Sequence, residues 1–176
     1  MKLIFTFIFS FLLFPQDTSE KIIWSENQKL TWEDFRGKPV SSLGFVASTH
    51  TGINFDYSFS IEEREVNVEY SVESFFIPEK SWFIPGKVSQ NVLNHEQTHF
   101  DISELHTRIL RKRMSARKFS KKVKTEIETI YIQVEAQRKA MQKKFDVETE
   151  HSQNIEKEKL WEQRIAKQLA EYESWK

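Results

Sequence analysis

His95, Glu96 and His99 stand as His-Glu-x-x-His within "NHEQTHFDISELHTR", residues 94–108. On an α-helix, residues four apart share a face one turn apart, so two imidazoles can address one ion. Glu96 lies beside them, where a carboxylate can take a proton from a metal-bound water. Zn²⁺ held by three protein ligands with one open position lowers the pKa of that water to about 7. The spacing therefore points to a zinc-dependent hydrolase with Glu96 as general base. Two histidines four apart also occur by chance on charged helices, so the surroundings matter. Val92 and Leu93 lead in, Phe100 and Ile102 follow, and neither proline nor glycine interrupts the segment.

The pentad supplies two ligands, and helical geometry limits where the third can lie. Asp101 is two residues past His99, about 200° around the axis, and points away. Glu104 is about 140° around and about 7.5 Å along, and His106 returns to the right face only about 10.5 Å up. Asp101 and Glu104 are better suited to positioning the helix or the ligands, and Arg108 can pair with Glu104 at i, i+4. The missing ligand is expected from elsewhere in the chain. His50 and His151 are the two histidines outside this helix. His151 lies in "FDVETEHS" with Asp146, Glu148, Thr149 and Glu150 close by, a cluster that can supply both a ligand and the carboxylate behind it; Asp146 and Thr149 are candidates for that supporting role. An acidic third ligand such as Glu104 remains open at this point, whereas a closed, non-catalytic site would need Glu104, Asp146 or Glu150 as a fourth.

The elements that must position these groups divide the chain in two. Residues 22–85 alternate in "GFVASTHTGINFDYSF" and "REVNVEYSVESFFI", broken by Gly44, Gly52, Pro78 and Pro85. Val66, Val68, Tyr70 and Val72 share one face, with Glu65, Asn67, Glu69 and Ser71 on the other, which predicts an antiparallel sheet with one wet side. After Gly86 there is no glycine or proline, and helix formers dominate. Ser89 is placed to cap a first helix to about residue 118. A second is expected over about 120–144, and a third over about 152–174, with "FDVETEHS" at or near their junction. Ile155, Trp161, Ile165, Leu169 and Tyr172 form a helical stripe in the third. Strands first and helices second predict an α+β fold. Residues 75–84, just before the metal helix, are the nearest candidate for an edge that receives substrate main chain.

The 176 residues suit one ordinary domain, expected over 19–176. Residues 1–18 open with Lys2 and an apolar run over 3–14, the layout of a secretory signal peptide and too short for a stable membrane span. The expected location is therefore periplasmic or extracellular. There is no cysteine, which excludes disulfides, thiolate metal sites and lipid attachment through cysteine. The net charge is zero, yet residues 107–144 hold 13 basic against 3 acidic groups. Such a run can bind anionic partners. It has few interleaved aromatics and acidic segments on both sides, so a solvated helix face is the default and nucleic acid is not an expected partner.

Taken together, "KLTWEDFRG", "LNHEQTHFDISELHTRILRK" and "FDVETEHS" resemble, in order, the bacterial DUF922 family, described as secreted zinc-dependent proteases. That family carries a Tyr-Asp-x-x-Thr-x-His-Gly motif downstream of the pentad. Phe145, Asp146, Thr149, His151 and Ser152 occupy it here, with Phe for Tyr and Ser for Gly. The resemblance implies a zincin-like metallopeptidase in which His95, His99 and His151 hold Zn²⁺, Glu96 is the general base, and the substrate is a peptide or protein. Two other functions fit the residues less fully. One is a non-catalytic envelope protein stabilised by the same zinc, and the other is a module binding anionic partners through the basic helix.

Overall fold

The computed structural model describes residues 19–40, 44–62 and 65–176. The expected signal peptide, residues 1–18, lies outside the described residues. Among the described residues, no helix is long and apolar enough to cross a membrane.

The fold is α+β, with strands in the N-terminal half and helices after them. Strand β1 is Ile22–Ile23, β2 is Ala47–Ser48, β3 is Thr51–Glu62, β4 is Glu65–Phe76 and β5 is Trp82–Phe83. β3 and β4 form a long antiparallel hairpin in register from Thr51↔Phe76 to Glu62↔Glu65, and β1 adds to the far side of β4 at Ile22↔Phe76. β2 and β5 make a separate two-stranded pair. The expected alternation is present. Glu65, Asn67, Glu69 and Ser71 are exposed, while Val72 is buried and Val66, Val68 and Tyr70 are half-buried against the helices.

Helix α1, Gln90–Ser115, begins where Ser89 Oγ accepts from the amide of Val92. That bond satisfies one of the amides a helix start leaves unpaired. Helix α2 is Val123–Thr149 and α3 is Ile155–Glu171. α2 continues one turn beyond the expected end and takes in "FDVET", so the junction falls on 150–154 instead. Glu150, His151 and Ser152 there all have positive φ, at 52°, 52° and 70°. Positive φ suits glycine, which this chain lacks at all three positions.

α1 is the central element and packs against β3, β4, α2 and α3. Ile53 and Val72 of the sheet meet Leu110, Met114, Val123, Ile127 and Val134 in one core. Ile102, Leu105, Phe145, Trp161 and Ile165 form a second between the three helices. The apolar stripe of α3 differs from the expected one at its first turn. Ile155 is exposed, and Glu158 takes the buried position instead.

The basic run is largely engaged within the chain. Arg108 Nη1 binds Glu173 and the carbonyl of Leu169, Arg111 binds the carbonyls of Val72 and Trp175, and Lys112 lies over the rings of Tyr172 and Trp175. Arg117 pairs with Glu126.

Candidate metal centre

α1 and α2 cross so that the pentad faces the last turns of α2. His95 Nε2 and His99 Nε2 are 3.2 Å apart. Asp146 Oδ1 closes the triangle, 3.3 Å from His95 Nε2 and 2.8 Å from His99 Nε2. Ligands bound at about 2.0–2.1 Å in a tetrahedral zinc site lie about 3.3 Å from one another, so these three atoms have close to the spacing the ion needs. His95, His99 and Asp146 thus form a group that could hold a metal ion.

The remaining ring nitrogens are also held. His95 Nδ1 donates to the carboxylate of Glu158, at 3.1 and 3.2 Å, and Glu158 is fully buried on α3. His99 Nδ1 donates to Gln142 Oε1, while Gln142 Nε2 donates back to the carbonyl of His99 at 2.8 Å. Both rings therefore turn Nε2 toward Asp146. A histidine that ligates a metal through one nitrogen commonly donates its other N–H in this way, which fixes tautomer and orientation. Phe145 is fully buried beneath the pair, stacked on His95 with ring centres 4.4 Å apart and edge-on to His99 at 5.0 Å.

Burial disfavours a charged His95, but the hydrogen bonds to Asp146 and Glu158 outweigh it and raise its pKa to about 9. Asp146 is held well below the usual carboxylate range. Burial opposes this, and the bonds to His95 and His99 overcome it. A cation placed between these groups would compete with the proton on His95.

Glu96 is buried to 4% exposure and lines a cleft of about 640 Å³ that also exposes His95, His99 and Asp146. The segment 44–49, Arg138, Lys139, Gln142 and Asp146 of α2, and residues 151–153 line it. The expected substrate edge at 75–84 does not line this cleft. Phe75 and Phe76 are paired on both sides, by β1 and β3, and Trp82 and Phe83 pair with β2. The main chain of Phe75 and Phe76 is therefore used on both sides, and that of Trp82 and Phe83 on one.

The other sequence candidates fall in different places. His151 is half exposed, with Nδ1 3.9 Å from Asp146 Oδ1 and its ring against Phe45. It borders the cleft beside the three-atom group, and Asp146 rather than His151 meets both pentad nitrogens. Thr149 is buried and donates to the carbonyl of Phe145 at 2.7 Å, closing the end of α2. Asp101 accepts from Trp24 Nε1 and Gln97 Nε2, tying the N-terminal segment to α1. Glu104 is buried and accepts from Ser74 Oγ at 2.7 Å and Arg108 Nε at 2.9 Å. His106 is buried, donates to the carbonyl of Ile102, and has its pKa lowered chiefly by burial. His50 is exposed, and its main chain binds Ser81 and Ile77.

Glu158 and Gln142 were not singled out by sequence reasoning. Glu158 did carry a sign, because it stands three residues before Trp161 and seven before Ile165 on the buried stripe of α3. A carboxylate on an apolar face requires a partner.

These features set a His/His/Asp group that could hold a metal ion in a cleft beside a buried carboxylate. Residues 78–152 match the family described as bacterial protein of unknown function (DUF922), which supports the resemblance over the segment that carries the pentad and Asp146. No curated protein and no solved structure matches this chain.

Proposed function

We propose that this protein is an exported zinc-dependent metallohydrolase, acting as a peptidase in the periplasm or outside the cell. The observation that carries the reading is the triangle of His95 Nε2, His99 Nε2 and Asp146 Oδ1, with both imidazoles held from behind and Glu96 in the same cleft. Two imidazoles and one carboxylate match the donor set of a catalytic zinc, which keeps a position open. His95, His99 and Asp146 would hold Zn²⁺, and His151 stands next to Asp146 at the border of the cleft. Export rests on the layout of residues 1–18.

Bound there, zinc would acidify water and polarise a substrate carbonyl. Glu96 accepts the proton of the attacking water and delivers it to the leaving amine, as a carboxylate beside the reacting atoms can. Glu158 and Gln142 keep the two rings from rotating. Phe145 excludes water from beneath them.

The test is zinc content per chain in purified protein, followed by cleavage of a mixed peptide library. One zinc per chain and cleavage lost in Glu96→Gln are expected. A protein that takes up no zinc, or a Glu96→Gln variant that cleaves like wild type, would overturn the proposal.

A further inference from the structure

The described charged side chains at the cleft that are not assigned to the metal or to proton transfer are all cationic, and one of them, Arg138, is ion-paired with Glu135 behind it. Among the described residues its lining carboxylates are Glu96 and Asp146, both already assigned to proton transfer and metal holding. Three cationic side chains line the same space: Lys87, Arg138 and Lys139. Lys87 and Lys139 are exposed, whereas Arg138 is buried to 8% exposure. A metal ion would add further positive charge, and low-dielectric walls focus such a field.

Arg138 has the geometry of a prepared anion donor. Glu135 takes its Nε at 2.8 Å and its Nη2 at 2.9 Å, which fixes the plane of the guanidinium. Nη1 is left with two long contacts of 3.4 Å, to the carbonyl of Thr51 and to Ser103 Oγ. Ser103 Oγ also receives Gln142 Nε2 at 3.3 Å, so the cation is linked through one hydroxyl to the residue that holds His99. Arg138, Gln142 and Asp146 follow at four-residue steps on α2 and all border the cleft. A planar guanidinium with a donor to spare is suited to a carboxylate.

We infer that the cleft selects acidic polypeptide segments, with Arg138, Lys87 and Lys139 receiving substrate carboxylates. This rests on the peptidase reading and specifies its substrate class. Asp146 and Arg138 are eight residues apart, about 12 Å along α2. An extended peptide covers about 3.3–3.6 Å per residue, so the recognised carboxylate lies about three or four residues from the scissile bond.

The experiment titrates zinc-loaded Glu96→Gln protein into two fluorescein-labelled decapeptides, identical except for four Glu in one and four Gln in the other, and follows anisotropy. The Glu peptide should bind about tenfold tighter at low salt, with the preference shrinking as salt is added. Lys87→Gln with Lys139→Gln should remove most of the preference, as should Arg138→Gln if that variant folds. Equal binding, a preference for the Gln peptide, or no peptide binding overturns the inference. A single-stranded oligonucleotide of equal charge that binds more tightly than the Glu peptide also overturns it, in favour of a nucleic-acid ligand.

Zinc content of the same samples reads the metal site separately. Zinc with no charge preference sinks this inference alone. If zinc is absent, the hydrolase reading fails, and the same titration on metal-free protein still decides the charge preference.

Discussion

His95 Nδ1 and Glu158 stand 3.1 Å apart in the interior, 63 residues apart in the chain, joining the second turn of α1 to the first turn of α3. Glu158 is fully buried, so its charge is offset chiefly by what it touches. The pair fixes the ring of His95 and at the same time ties α3 to α1. Removing Glu158 is expected to weaken zinc binding by about 10–100-fold, with Glu158→Gln less severe than Glu158→Ala because it can still accept from Nδ1. Competition against a chromogenic chelator reads this directly. Unchanged affinity in both variants would mean that Glu158 only packs.

Asp146 and His151 make opposite predictions about the third ligand. Asp146→Ala should lose stoichiometric zinc, since its carboxylate meets both pentad nitrogens. His151→Ala should retain zinc, because His151 is half exposed and approaches only Asp146. Metal analysis of the two variants separates the assignments.

The raised pKa of His95 sets a pH dependence of definite sign. In metal-free protein, its folded-state value of about 9 exceeds the ordinary 6.5. Its contribution to stability is therefore complete below about 6.5 and is lost as pH rises through about 9. Asp146 is depressed, so its contribution is present above the ordinary carboxylate range and is lost as pH falls below it. Zinc must displace the proton on His95, so its affinity should rise with pH up to about 9. Melting curves with and without zinc should diverge between pH 6 and about 9 and run parallel above it. Curves parallel throughout would contradict the proton–metal competition.

Ser152 has φ of 70° in a run of three left-handed residues. Asn91 Nδ2 holds its carbonyl at 2.8 Å, and the amide of His151 reaches Asp146 O at 2.9 Å, so the turn is fastened at both ends. Ser152→Gly should relieve backbone strain and raise stability by about 1 kcal/mol. Urea unfolding at pH 7 measures it.

Arg108 and Glu104 form a buried pair, with side-chain exposures of 1% and 4%. Arg108→Met leaves Glu104 with a much weaker set of partners, and unfolding free energy should fall by about 3–5 kcal/mol. Zinc stoichiometry of the folded variant should be unchanged, since neither residue touches the metal group. Loss of zinc would place Glu104 in the site after all.

Residue spacing located the pentad and pointed to the "FDVETEHS" segment, and residues 78–152, which hold both, match the family the chain resembles. The pairing of Glu104 with Arg108 was also legible, because i, i+4 geometry depends on one helix alone. His151 and Asp146 lie five residues apart, and the sequence reading put His151 on the metal with Asp146 behind it. Which of the two stands against the pentad nitrogens in the fold depends on where α2 stops. Continuing the helix through Thr149 puts Asp146 on the face that meets α1 and leaves His151 in the turn.

By itself, the sequence determined the order of strands and helices, the cap at Ser89, the wet and dry faces of β4, and the two histidines of the pentad. All of these are properties of local periodicity, readable within a few turns of one element. Only the tertiary structure decided the rest. Asp146, Gln142 and Glu158 reach the pentad from other helices, and segment 44–49 lines the cleft instead of residues 75–84. Helical periodicity says which face of α2 or α3 is buried. Which side chain it meets there depends on how the helices cross, and that is set by Phe145, Trp161 and Ile165 packing against Ile102 and Leu105 in the core between them.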